Sequence, residues 1–178
     1  MRKLCVLRTA VGVSCIPEAP MSKTPKPTTQ DRIEKSIELR APVARVWHAL
    51  TDSLEFGAWF RVALNGPFTA GEEAHGKMTV PGYEKLTFHA VVQAIDPESY
   101  FAFTWHPYAV DPAADYSRET PTLVEFRLEP TPSGTRLTVT ESGFSDLPDD
   151  RHDEAYARNS EGWSIQMKNI EEYVAQHP

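Results

Sequence analysis

The stretch from Gly134 to Tyr173 limits most strongly how this chain can fold. Residues 135–142 (TRLTVTES) alternate, with Leu137 and Val139 on one face and Arg136, Thr138 and Thr140 on the other. That period of two marks a half-buried strand. Gly143, and then Leu147-Pro148-Asp149-Asp150, break it. Ala155, Asn159, Trp163, Met167, Ile170 and Val174 then recur at spacings of three and four, so a long helix follows with one apolar stripe. Such a helix has to lie on an apolar surface, and the sheet before it supplies one.

The segments upstream supply that sheet. Residues 33–39 (IEKSIEL) form a first strand with Ile33, Ile37 and Leu39 inward. Pro42 then opens a helix near its first position, where the missing N–H costs nothing, and Val43, Val46, Trp47 and Leu50 give its stripe. A second short helix, 53–60, carries Leu54, Phe56, Trp59 and Phe60. Closely spaced strands follow: a weak one over 72–80, a long one over 85–95, and two more over 100–106 and 122–129. Turns at Pro81-Gly82, 96–99 and 130–134 separate them, with a longer Pro-rich loop at 107–121. The order is β-α-α-β-β-β-β-β-α. Short connections between successive strands imply an antiparallel sheet, and the whole an α+β fold with a curved sheet around the long C-terminal helix.

The chain has 178 residues and a net charge of −7. Residues 1–30 carry five basic groups and one acidic one. The other 148 carry 13 basic and 24 acidic groups, a net −11. An acidic domain repels phosphate backbones and anionic lipid surfaces, which argues against nucleic acid and membrane partners. No apolar run reaches the 18 residues of a membrane span. Both cysteines, Cys5 and Cys15, lie in the first 15 residues, so the domain needs no disulfide, which fits a reducing compartment such as the cytoplasm. Residues 1–30 read as a disordered Pro-rich extension, and residues 31–177 as one domain. Arg8 interrupts the apolar run that a signal peptide would need, and Met21 offers an alternative start.

Several segments then fall into a known order. They are residues 37–52 (IELRAPVARVWHALTD), Trp59-Phe60, Thr104-Trp105, residues 122–129 (TLVEFRLE), residues 134–144 (GTRLTVTESGF) and Gly162-Trp163. Together, over about residues 32–175, they resemble the Hsp90-ATPase-activator-homologue family of the START-like, Bet v 1-like (SRPBCC) superfamily. The resemblance implies a helix-grip fold: a sheet of six to seven strands, two short helices, one long C-terminal helix and a cavity between helix and sheet. It also implies binding of hydrophobic small molecules, in some members with cyclase or hydrolase activity. The eukaryotic activators carry an additional N-terminal chaperone-binding domain, where this sequence has its Pro-rich segment.

Three groups of residues are candidates for function. Trp59, Phe60, Phe88, Phe101, Phe103, Trp105, Phe126, Trp163 and Met167 would line an apolar ligand cavity, or else form an ordinary packed core. Gly162, unfavourable inside a helix by about 1 kcal/mol, calls for a close approach or open space. Glu141 shares the buried face of Leu137 and Val139, where a carboxylate is costly unless bonded. It is expected as a polar anchor at the cavity mouth, with a raised pKa and acid–base competence, or turned out to solvent by a bulge or fraying before Gly143, or with a partner such as an arginine or an indole N–H. The six histidines show no zinc-binding spacing, so no metal is expected, nor any cofactor. His89 and His106 point away from Phe88 and Trp105, and His152 is a candidate for the cavity entrance. The loop 107–121 and the segment 53–65 are the expected gates. Nucleophile-elbow, phosphate-loop and dinucleotide motifs are missing.

Three functions remain. The first is a non-catalytic domain holding a hydrophobic or lipid-like ligand. The second is a cyclase, dehydratase or hydrolase using Glu141 as general acid/base. The third is a partner of an Hsp90-type chaperone.

Overall fold

The computed structural model describes residues 31–111 and 113–178. The proposed N-terminal extension lies outside the described residues. The elements run β1 (Arg32–Leu39), α1 (Val43–Thr51), α2 (Ser53–Phe60), β2 (Val62–Leu64), β3 (Glu73–Met78), β4 (Thr87–Asp96), β5 (Tyr100–Trp105), β6 (Thr122–Thr131), β7 (Gly134–Ser142) and α3 (Asp149–Gln176). All seven strands join one antiparallel sheet in the order β1-β7-β6-β5-β4-β3-β2. The fold is α+β, and the sequence order alone accounts for most of it. Each strand from β2 to β7 pairs with its neighbour in the chain, and only β1 reaches across, to β7.

Counting period-two runs yields six strands. The seventh is β2, whose three residues are too few to show a period. It needs a bare backbone opposite: a Cβ on Gly76 would stand 2.6 Å from the Ala63 carbonyl oxygen. Other boundaries shift slightly. The β4 strand starts at Thr87, after a turn that takes up Lys85, and Pro42 is the N-cap of α1 rather than its first residue. Leu54 in α2 is exposed.

The core lies between the sheet and the helices. Val46, Ala49 and Leu50 of α1, Phe56, Trp59 and Phe60 of α2, and Ala155, Trp163, Met167, Ile170 and Val174 of α3 bury against Phe88, Phe101, Phe103, Val124, Phe126, Leu137 and Val139. The β6–β7 turn packs onto the end of β1 at Gly134 (φ 149°), where a Cβ would meet the Leu39 carbonyl oxygen at 2.1 Å. No side chain fits there.

Asp52 joins the two short helices. It is the C-cap of α1, and its carboxylate accepts the Leu54 and Glu55 N–H groups, both at 3.0 Å, as the N-cap of α2. Trp59 fixes the angle between them by donating its indole N–H to the Ala49 carbonyl (2.8 Å). Replacing an N-cap aspartate by alanine costs about 1 kcal/mol. Asp52→Ala is therefore expected to lower stability by about that amount in urea unfolding, with an unchanged denaturant slope.

Candidate functional site

A cavity of about 910 Å³ opens beside α3. It lies where the β4–β5 hairpin ends away from its Asp96–Tyr100 turn, because Phe88 is near the start of β4 and Trp105 closes β5. Phe60, Phe88, Trp105 and Trp163 form its aromatic wall. Ring centroids of Trp105 and Trp163 are 5.8 Å apart, and Phe60 stands 6.2 Å from each. The loop after β5 contributes Tyr108, Val110 and Tyr116, and the β3–β4 connection contributes Val80, Tyr83 and Leu86. From α3 come Arg158, Asn159, Gly162, Ile165 and Gln166.

The proposed aromatic lining divides in two. Phe60, Phe88, Trp105 and Trp163 reach the cavity. Phe101, Phe103, Phe126 and Met167 are buried in the closed core behind it, and Trp59 is spent on the α1–α2 junction. Gly162 faces open space: a Cβ there would meet nothing within 4 Å. Of the two expected gates, the loop 107–121 does line the cavity, whereas the segment 53–65 contributes Phe60 alone. His152 is not at the entrance. It is buried, with Nδ1 2.6 Å from the Asp153 carboxylate.

Glu141 is neither at the cavity mouth nor turned out to solvent, since β7 continues through it to Ser142. It is fully buried behind the aromatic wall, where both oxygens are taken by donors. Trp105 Nε1 donates to Oε1 at 2.7 Å and Trp163 Nε1 to Oε2 at 2.6 Å. Thr122 Oγ1 donates to Oε1 at 2.7 Å, and Asn159 Nδ2 lies 3.0 Å from both oxygens. Among the described residues no lysine or arginine pairs with it. Of the two bonded readings, the indole partner is the one realised, twice over.

Burial without a cation pushes the Glu141 carboxyl above its ordinary value, and the four donors only partly oppose this. The indoles can only donate, and Asn159 meets the carboxylate through its NH₂. A proton on Oε1 therefore has one acceptor, Thr122 Oγ1, which can pass its own proton to the Trp105 carbonyl 3.4 Å away. The site thus accommodates both states.

Arg151, in the first turns of α3, holds the loop that lines the cavity. It pairs with Glu119 and donates to the Pro107 carbonyl (2.6 Å). Its guanidinium sits 4.5 Å above the Tyr116 ring centre. His106 lies in the same wall, and its Nδ1 has no hydrogen-bond partner among the described residues. Burial lowers its pKa and keeps the ring neutral at neutral pH.

On the outer face of the sheet, β-pairing creates a cluster that no linear spacing announces. His75 of β3 is the register partner of His89 of β4, and their rings stack at 4.5 Å. Glu73, two residues before His75, reaches both: its oxygens lie 2.9 Å from His75 Nε2 and 3.8 Å from His89 Nε2. The Glu73-x-His75 pattern on β3 meets His89 only through the β3–β4 register, so no local spacing rule finds the cluster.

A seven-stranded antiparallel sheet packed on a long C-terminal helix, with a cavity at their open end, defines a helix-grip domain. The chain belongs to the family described as activator of Hsp90 ATPase homolog 1-like protein, whose model matches residues 40–175. Solved structures agree in fold. A Mesorhizobium loti protein superposes with a TM-score of 0.66 at 22% identity, over 83% of this chain and 98% of that one. An Arthrobacter aurescens protein gives 0.69 at 20% identity, over 85% and 90%. A protein of the dynemicin biosynthetic locus gives 0.63 at 24% identity, over 82% of this chain and 47% of that one. No functionally curated protein matches.

Glutamine in place of Glu141 keeps the shape but turns its NH₂ toward an indole N–H whichever oxygen it replaces. Glu141→Gln is expected to cost about 1–3 kcal/mol in thermal or urea unfolding. The sign of its pH dependence follows from the raised folded-state pKa. The wild-type carboxyl binds its proton more tightly when folded, so its contribution is complete below the unfolded value and fades as pH rises through the folded one. The stability deficit of Glu141→Gln is therefore expected to narrow as pH increases from 4.5. A deficit that widens with pH would contradict this.

Proposed function

We propose that this domain binds a hydrophobic or lipid-like small molecule in the cavity beside α3. The observation that carries the reading is the cavity itself, about 910 Å³ with a wall of Phe60, Phe88, Trp105 and Trp163. Its size falls in the range of small-molecule sites, roughly 300–1,000 Å³, and Lys85, Asp111, Arg158 and Glu161 add charged groups to the rest of its lining. Those charged groups are the candidates to orient a ligand's polar end, because the Asn159 and Gln166 amides are engaged within the protein. Gly162 supports the reading too, since its missing side chain leaves room on the cavity side of the helix.

An acid–base role for Glu141 has less behind it. The carboxylate does not line the cavity, and its donors already occupy both oxygens. Its better-supported role is to position the two indoles. An Hsp90-type chaperone as partner rests on the family's description alone. A reducing compartment, the cytoplasm, suits a domain built without cysteine from residue 31 onward.

The test is native mass spectrometry of protein purified from its own host, followed by identification of any mass released on denaturation. A stoichiometric apolar adduct is expected, and bare protein would count against the reading. In a parallel titration with a fluorescent fatty-acid analogue, Gly162→Leu is expected to weaken binding at least tenfold by filling the cavity. Gly162→Ala is expected to keep binding and gain about 1 kcal/mol of stability. Equal affinity for wild type and Gly162→Leu would place the ligand elsewhere.

A further inference from the structure

We propose that Glu73, His75 and His89 form a binding site for a divalent transition-metal ion of the zinc type. One ligand atom from each of the three residues falls within a 4.8 Å span. A zinc ion about 2.0–2.1 Å from tetrahedrally arranged donors holds those donors about 3.3 Å apart. The two separations from the Glu73 oxygens, 2.9 Å to His75 Nε2 and 3.8 Å to His89 Nε2, bracket that value. The two distances are to different Glu73 oxygens, and the stacked rings have to turn out of their parallel arrangement for both Nε2 lone pairs to converge on one ion.

The donor set is chemically selective. Two imidazoles and one carboxylate suit zinc and its neighbours rather than calcium or magnesium, which take oxygen ligands. Both rings stack in parallel with their Nε2 atoms beside the same carboxylate, within 4° of one plane orientation. One divalent ion bound by both rings and the carboxylate offsets the charge of Glu73.

The backbone already fixes the arrangement. Glu73 and His75 share a face of β3 as residues i and i+2, and His75 is paired with His89 across the β3–β4 ladder. Little chain order remains to be created on binding. All three side chains keep solvent access, at 61%, 43% and 45% exposure, so an ion has a path in and at least one coordination position stays open for water or another donor. The site stands on these three residues whether or not the cavity holds an apolar ligand.

The test is calorimetric titration of the untagged full chain with zinc in a non-chelating buffer. Saturable binding near one equivalent is expected in the micromolar range. The double variant His75→Ala/His89→Ala is expected to lose at least tenfold in affinity, and Glu73→Gln to be weakened as well. All three positions are on the sheet surface, so circular dichroism should match wild type. His48→Ala serves as control, because His48 and Glu55 form a separate histidine–carboxylate pair (3.0 Å), and it is expected to bind as wild type does. No saturable binding at high-micromolar zinc would overturn the proposal. So would a double variant that binds like wild type.

Discussion

A carboxylate with no cation, clamped by two indole N–H groups, is the contact on which the site depends. Glu141 sits on β7, Trp105 ends β5, Thr122 begins β6, and Asn159 and Trp163 are on α3. One side chain thus ties three strands to the helix. An unbonded carboxylate in that position would cost several kcal/mol, so the donors are required as soon as the residue is buried. The same hydrogen bonds fix the planes of Trp105 and Trp163, whose other faces are the cavity wall. Stability of the helix–sheet contact and shape of the cavity are therefore set by one group of atoms.

The cavity follows from how helix and sheet meet. Toward the Asp96–Tyr100 turn, Phe101, Phe103 and Phe126 fill the space between them. At the other end, the β4–β5 hairpin runs out just as α3 presents Gly162, and no side chain closes the gap. The loop 107–121 covers it instead, held by the Arg151 contacts with Glu119, Pro107 and Tyr116. Those contacts are polar and few, whereas the core is apolar and dense. The wall made by the loop hangs on side-chain contacts from Arg151, whereas the wall made by the two tryptophans is tied to the sheet through Glu141.

The alternation of β7 and the stripe of α3 were legible because each is long and each buries one face. The same patterns carried two polar exceptions, Glu141 and Asn159, each unexplained in isolation. They explain one another only when α3 is laid on β7, which is a fact of tertiary packing. Sorting the aromatic residues was beyond the pattern for a similar reason. Phe101, Phe103 and Trp105 point to the same side of β5, and only distance along the strand decides which of them is covered by packing and which faces the cavity. The β2 strand was too short to register, and the Glu73–His75–His89 cluster depends on which strands become neighbours. Sequence periodicity reports faces; it does not report depth along a strand or partners across a sheet.

The most direct test of the clamp is the indole region of a ¹⁵N–¹H correlation spectrum, followed by hydrogen exchange. The protein has four tryptophans. Trp105 and Trp163 N–H signals should be protected from exchange and should move together in Glu141→Leu, while the Trp59 signal, bonded to the Ala49 carbonyl, stays in place. Exchange at the Trp105 and Trp163 indoles as fast as at a solvent-exposed side chain, or signals indifferent to the loss of Glu141, would show that the carboxylate does not hold the cavity wall.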